Sequence, residues 1–342
     1  MKVSLKYNSL LFLLLGIAIT LVSCDKEERW IKNTELGEAL GTTYSIIYIS
    51  KDTLNLQRQI DSVFRVVNQS MSTYIPGSDI SRINRGDSTV VVDEMFREVL
   101  ALSRDVYRTT NGYFDPTVGI LVNAWGFGPG QALAMDSAEV NRLKMFVGLD
   151  KIKLTGDNQI RKKYPEMQLD FNAIAKGYAI DRLAVMLDQN QIENYLVEVG
   201  GEIVTKGINQ LKEQAWVVGI DDPQVEQGRR LKITLNLRDE ALASSGNYRK
   251  FRIDSLTGEK FVHTIDPKSG FTRNSNVLAA SVIASKCAMA DAYATAFMTM
   301  ELDSSIAFLE GKKELEAYLI YIDPKGEEQE YFTPGFLERV RK

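Results

Sequence analysis

The stretch that most constrains this chain is Leu169-Asp170-Phe171-Asn172-Ala173-Ile174-Ala175-Lys176-Gly177-Tyr178-Ala179-Ile180-Asp181. Gln168–Phe171 has the extended pattern, and Ile174, Tyr178 and Asp181 then recur at helical spacing. A strand end running straight into a helix is therefore expected. The first N–H groups of such a helix lack intrahelical partners and carry the positive end of its dipole, which suits an anion. Asp170 and Lys176 bracket the turn with one charge of each sign, and Gly177 keeps side-chain bulk away from whatever approaches the lysine. An ordinary strand-to-helix connection with a surface lysine satisfies the same pattern, so the surrounding chain has to decide.

Gly41–Ser50 alternates like a strand, with Tyr44, Ile46 and Tyr48 on one side. Leu54–Met71 gathers Leu56, Ile60, Val63, Phe64 and Val67 on one helical face. Asp93–Thr110 reads as a second amphipathic helix, stopped by Asn111-Gly112. Asp136 and Glu139 stand at capping-box spacing before a third helix that ends at Gly148. After Gly200-Gly201 the pattern turns to strands at Trp216–Ile220, Leu231–Leu237, Asn247–Ile253 and Phe261–Ile265. A helix over Lys286–Met300 and a closing strand over Ala317–Ile322 complete the chain. Helices and strands mix without regular alternation, and several strands are separated by short turns. The expected class is α+β, with largely antiparallel sheets and packed helices.

The N-terminus looks like an address. Lys2 and Lys6 precede an apolar run, Leu10–Val22, that is shorter than the roughly 20 residues a spanning helix needs. A basic start, a short apolar centre and Leu21-Val22-Ser23 before Cys24 suit a secretory signal over residues 1–23. Cys24 resembles the lipidated cysteine of bacterial lipoproteins; an uncleaved membrane anchor is the alternative. The expected organisation is a signal over 1–23, a tether over 24–38 and one functional domain over 39–342. That domain would be exported and held at a membrane of the cell envelope, facing the periplasm. A net charge of −4 gives no electrostatic case for nucleic acid. With His263 the single histidine and Cys24 and Cys287 the two cysteines, a multi-His or thiolate metal site is excluded. Any metal must take oxygen ligands.

Four segments could carry chemistry, and each has a plainer reading. Gly112–Gly119 and Asn123–Gly128 pack glycines and aromatics densely enough to lay a flat ring against backbone, or they form a turn-rich core loop. Tyr195–Glu202 ends in paired glycines that let a ligand approach closely, or that make a tight turn. His263 sits at an expected strand end, where it could take a proton near neutral pH. The Asp266-Pro267 and Ser269-Gly270 pairs that follow it are also ordinary turn chemistry. Asp291 and Thr295, four residues apart on an alanine-rich helix, project from one face. With a nearby carbonyl they make a hard-oxygen set suited to Mg²⁺. Alternatively they are a polar stripe, with Thr295 bonding back to the Asp291 carbonyl.

Read in order, Gly41-Thr42-Thr43, Met71–Tyr74, Ser78–Asn84, Gly112–Gly119, Asp170–Gly177, Val199–Glu202, His263–Pro267 and Ala290–Ala296 resemble the ApbE family of FAD:protein FMN transferases. The resemblance runs from about Gly41 to the C-terminal strand. It implies a T-fold-like α+β architecture and a Mg²⁺-dependent enzyme that splits the pyrophosphate of FAD. FMN would be attached through a phosphoester to a Ser or Thr of an exported or membrane-associated partner, and AMP released. Under the resemblance Tyr74 would flank the flavin, and Leu40, Tyr113, Phe114 and Asp115 would line the FAD site. Asp170, Lys176 and Ile265 would make further contacts. The metal ligands would be the Ala173 carbonyl, Asp291 and Thr295, and His263 would be the general base.

Asn172 stands where the family often has Gly, and Leu40 where Met is common. Asp254-Ser255-Leu256-Thr257-Gly258 partly resembles the family's acceptor motif, which would make Thr257 a self-modification site. Glu259 and Lys260 break the motif, and a hairpin turn fits as well. The same site could also serve an FAD pyrophosphatase giving FMN and AMP, or a non-catalytic flavin-binding lipoprotein. His263 and the Asp291/Thr295 pair favour chemistry over storage.

Overall fold

The computed structural model describes residues 29–223, 230–247, 251–253, 260–273 and 275–342. The signal region, Cys24 and Thr257 lie outside the described residues. In chain order the strands are β1 (Ile31–Ala39), β2 (Thr42–Ser50), β3 (Ile152–Leu154), β4 (Ile160–Lys162), β5 (Asn194–Val199), β6 (Glu202–Lys206), β7 (Trp216–Asp221), β8 (Leu231–Leu237), β9 (Ala241–Gly246), β10 (Phe251–Ile253), β11 (Lys260–Val262), β12 (Val277–Ala284), β13 (Glu316–Ile322) and β14 (Glu328–Phe332). One eight-stranded sheet runs β1-β2-β5-β6-β9-β12-β13-β14, antiparallel at every neighbouring pair. The pairs β3–β4, β7–β8 and β10–β11 form separate ribbons.

The helices are α1 (Gln57–Met71), α2 (Asp79–Asn84), α3 (Glu94–Thr109), α4 (Gly119–Ala124), α5 (Ser137–Lys144), α6 (Ala175–Gln189), α7 (Cys287–Thr299), α8 (Leu302–Glu310) and α9 (Pro334–Arg339). Among the described residues no helix is long and apolar enough to cross a membrane.

Side chains alternate across the sheet and separate two cores. On β12, Ala280 and Val282 join the helical side while Ala279 and Ile283 face the other. The helical side packs α1 (Ile60, Phe64) and α6 (Ile180, Leu183, Leu187) on Tyr44, Ile46, Tyr48 and Val197. The opposite face is covered by the β7–β8 ribbon and by Phe336 of α9. α7 is buried nearly all round, as an apolar helix at the centre of a core must be. Its alanines at 288, 290, 292, 294 and 296 are fully buried and let neighbouring backbones come close. Phe297 on the same helix is fully buried, worth about 2–3 kcal/mol relative to exposure.

The helix expected to end at Gly148 stops at Lys144, the strands expected over Asn247–Ile253 and Phe261–Ile265 shorten to Phe251–Ile253 and Lys260–Val262, and two further expectations change. Residues 31–38, expected in the tether, belong to β1, which pairs with β2 from Ile31↔Ser50 to Ala39↔Thr42. The charged residues misled, because an edge strand keeps polar side chains in water. Gln168–Phe171 is not a strand; Gln168 makes a single parallel bridge to Val118. The extended pattern there arises because this segment is pinned to a neighbouring loop rather than to the sheet.

Candidate active site

The pinning comes from two of the sequence motifs. Asn84, the last residue of α2, donates from Nδ2 to the Leu169 carbonyl and accepts the Leu169 N–H at Oδ1, both at 2.8 Å. At the other end of α2, Ser78 caps the helix by accepting the Ser81 N–H at 3.2 Å and donates to the Ser72 carbonyl at 2.6 Å. Ser81 Oγ donates to the same carbonyl at 3.2 Å. The Ser78–Asn84 motif is thus a bracket holding the Tyr74 loop at one end and the central stretch at the other. From the opposite side the Asp170 N–H donates to the Pro116 carbonyl at 2.7 Å. Gly119 makes that approach possible, since a Cβ there would lie 2.9 Å from the Gln168 carbonyl oxygen.

Asp170 Oδ1 accepts the Asn172 N–H at 2.7 Å, closing a small turn, and burial raises its pKa. Tyr74 is 57% exposed. Its phenol pKa is raised first by partial burial and then by the Asp170 charge. Leu40 holds a φ of 52° at the tip of the β1–β2 hairpin and packs where two core clusters meet. Phe114 is buried in the core. Asp115 points inward: its Oδ1 accepts the Thr117 N–H at 2.8 Å and the Thr117 hydroxyl at 2.6 Å. Burial pushes its pKa up to about 6. Tyr113 carries the Lys268 ammonium 3.8 Å from its ring centre.

Lys268 belongs to the His263–Gly270 loop, which is held at several points. Thr264 Oγ1 donates to Asn247 Oδ1 at 2.7 Å, and Trp125 Nε1 donates to the Gly270 carbonyl at 3.0 Å. Ile265 packs with Leu121, Trp125 and Val140 of the α4–α5 unit. His263 is half-buried where the chain leaves β11. The loop and the aromatic segment, far apart in sequence, therefore form one wall.

The centre of the site lies where α6 and α7 meet. The residues preceding them, Ile174 and Lys286, make no side-chain capping bond. Each helix takes a carboxylate from the other instead. Asp181 of α6 accepts the Cys287 N–H at Oδ1 (2.8 Å) and the Ala288 N–H at Oδ2 (2.9 Å). Asp291 of α7 accepts the Gly177 N–H at Oδ2 (3.2 Å). Gly177 is required by contact: a Cβ there would lie 2.4 Å from the Cys287 carbonyl oxygen. The anion anticipated at the start of α6 is the protein's own Asp291.

Lys176 Nζ lies 2.8 Å from Oε1 of Glu202, the first residue of β6. Burial lowers the lysine's pKa, but the Glu202 and Asp291 charges together raise it. Burial, then the Asp291 charge, pushes Glu202 up to about 8. Burial also raises Asp291, against the opposing pull of Lys176 and the Gly177 N–H. One turn beyond Asp291, the Thr295 hydroxyl lies 3.2 Å from Ser245 Oγ rather than bonding back along its helix. Ala173 is half-buried in the turn ahead of α6.

Glu202 escaped the reading from sequence. Its signal was an acid directly after Gly200 and Gly201, whose φ values of 61° and 91° make the turn that delivers it. Glu202 Oε2 is buried with no hydrogen-bond partner among the described residues. The unpartnered Glu202 oxygen, the Asp291 carboxylate and the Thr295 hydroxyl are hard oxygen donors, so the residues fit a Mg²⁺ site built on Asp291 and Thr295. Among the described residues no group of three or more His, Cys, Asp and Glu forms a metal cluster. The ion would thus lean on hydroxyl, carbonyl and substrate oxygens. A cavity of ≈ 590 Å³ lies nearby, lined by Glu98, Tyr178, Asp181, Arg182, Tyr195 and Lys286 among others, and none of the anticipated flavin or metal residues lines it.

A half-buried lysine on two buried carboxyls, at a junction of two helix N-termini beside an aromatic loop, defines the candidate site of this α+β protein. The chain belongs to the ApbE family, whose profile matches residues 40–319. It is 34% identical over 308 residues to the FAD:protein FMN transferase of Vibrio cholerae, covering 87% of this chain and 90% of that one. The Haemophilus influenzae protein of the same name is 31% identical over 318 residues, covering 89% and 90%. Among solved structures, the flavin transferase ApbE from Vibrio cholerae superposes with a TM-score of 0.79 at 32% identity, over 91% of this chain and 100% of that one. The ApbE protein of Thermotoga maritima, 24% identical, shares the fold at a TM-score of 0.79.

Proposed function

We propose that this protein is a Mg²⁺-dependent FAD:protein FMN transferase acting on a Ser or Thr hydroxyl of an exported acceptor. The relatives' named activity supports this reading. The observation that carries it is the half-buried Lys176 held against the buried Glu202 and Asp291. Phosphoryl transfer asks a protein chiefly to position groups and neutralise charge. Mg²⁺ held by Asp291, Thr295 and the Ala173 carbonyl would neutralise charge on the pyrophosphate oxygens. Lys176 adds a fixed positive charge, and Glu202 holds that ammonium in place. Tyr74 flanks the flavin ring, and Leu40, Tyr113, Phe114, Asp170 and Ile265 bound the substrate. Asp115 acts by ordering the loop behind Tyr113, because its Oδ1 is committed to Thr117. His263 takes the proton of the acceptor hydroxyl as that oxygen bonds to the FMN phosphorus. The bond from that phosphorus to the bridging oxygen breaks, and AMP leaves.

The test uses protein lacking residues 1–24 with FAD, Mg²⁺ and a separate domain bearing an intact acceptor motif. AMP release together with a flavin-fluorescent acceptor band on a denaturing gel is expected. AMP with free FMN and an unlabelled acceptor would replace the transferase with a pyrophosphatase. Bound FAD without AMP would leave flavin storage.

The basic start, short apolar run and Cys24 support export and lipid anchoring at the cell envelope. Cys24→Ala is expected to move the protein out of the membrane fraction; unchanged partitioning would remove the lipid anchor from this picture.

A further inference from the structure

We propose that Asp181 is a positioning residue for the metal pair Asp291 and Thr295, fixing where α7 presents them relative to Lys176; this rests on the metal reading above. Both oxygens of Asp181 are engaged by the first two N–H groups of α7, at 2.8 and 2.9 Å. Asp181 is thus a two-point clamp on the backbone of the helix that carries both ligands.

The clamp has no substitute among the capping groups. Lys286, the residue before α7, makes no side-chain capping bond, and the start of α6 is equally without one at Ile174. The same junction is fixed from α6 by Gly177, which is in backbone contact with Cys287 and whose N–H binds Asp291. Gly177 and Asp181 are one turn apart on α6, and Cys287 and Asp291 one turn apart on α7. The two helix starts therefore interlock over a single turn each, and a shift of Cys287 carries Asp291 and Thr295 with it. α7 is short and its interior is close-packed with alanine, so it moves as a rigid piece. Asp181 also borders the ≈ 590 Å³ cavity that the flavin and metal residues do not reach, which separates its role from theirs.

A residue that merely stabilised α7 would lower the melting temperature and leave the metal affinity of folded molecules unchanged. A positioning residue weakens metal binding in molecules that are still folded. The experiment takes the detergent-solubilised full chain with saturating FAD and no acceptor. Bound Mn²⁺ is counted by the loss of the free-ion EPR signal, with a thermal melt recorded on the same samples. Asp181→Asn keeps the size and one acceptor oxygen but sets an NH₂ against a backbone donor. A tenfold or greater weakening of Mn²⁺ binding, with a cooperative melt retained, is expected.

Gly177→Ala pushes the same two helices apart from the other side while favouring the helical state of α6, and should also weaken Mn²⁺ binding tenfold. Folded Asp181→Asn with Mn²⁺ affinity within twofold of the parent overturns the proposal. If that variant does not fold, an unchanged affinity in folded Gly177→Ala overturns it instead. A parent protein that binds no Mn²⁺ would bring down the metal reading itself, an outcome distinguishable from the failure of Asp181 alone.

Discussion

The helix junction and the aromatic wall carry the anticipated site residues in opposite ways. At the junction the charges are close and at least half-buried: Lys176 on Glu202, Asp291 on the Gly177 N–H, Asp181 on the start of α7. Their positions are set by backbone contacts that leave no room for a Cβ at Gly177. Along the wall the side chains divide. Phe114 and Asp115 turn inward to hold their own loop, while Tyr74 stays open and Tyr113 meets Lys268 from another segment. The junction is preorganised for charge, and the wall is a frame that a substrate has to complete.

Substitutions at the two regions should separate accordingly. Asp291→Ala should abolish metal-dependent AMP release, a loss on the order of 10²–10³-fold, without unfolding the protein. Turnover that survives this change would remove Asp291 from the metal site. Lys176→Met leaves the buried Glu202 carboxyl without its ammonium, so a lower melting temperature, about 1–3 kcal/mol of lost stability, should accompany the loss of activity. An unchanged melt would show that the cluster is not held by the lysine. On the wall, Tyr74→Ala should weaken FAD binding about tenfold while stability stays within about 0.5 kcal/mol, because the side chain is mostly exposed. Equilibrium fluorescence of bound FAD and a urea titration would check both halves of that statement.

A pH dependence at Asp115 probes the inward-turned part of the wall. Its folded-state pKa is raised from 3.8 to about 6 by burial, so the folded protein holds that proton more tightly than the unfolded chain does. Its contribution to stability is full below pH 3.8 and lost as the pH rises through 6, by at most about 3 kcal/mol. Asp115→Asn keeps the oxygen that accepts from Thr117 and removes the titration. The stability gap between parent and variant should therefore shift in the variant's favour from pH 4 to pH 7 in urea unfolding. A gap that does not move with pH would mean that Asp115 does not titrate in this window.

Elements with a clear apolar period were legible from sequence. The α1 and α3 faces, β8 and β13 fall within a few residues of expectation, and Asp136 caps its helix as anticipated. β9 was hidden because Ala241-Leu242-Ala243-Ser244-Ser245-Gly246 lacks β-branched residues; its place depends on the close packing of α7 against it. The motif residues were legible as chemistry but not as geometry. Asp115 folding back on Thr117 is local turn chemistry that Asp-Pro-Thr permits, but nothing local shows that Asn84 reaches Leu169. Glu202 and Asp181 have meaning only once β6, α6 and α7 meet, and that meeting is written in no single segment.

The interlocked starts of α6 and α7 also have a kinetic meaning. Gly177 and Asp291 are separated by 114 residues, and Cys287 and Asp181 by 106, so closing the junction brings together parts of the chain that are far apart in sequence. Contacts of such long sequence separation form late and slowly. A partly folded chain would hold Lys176 and Asp291 apart and have no site to load. Completion of the fold and competence to bind would then be the same event.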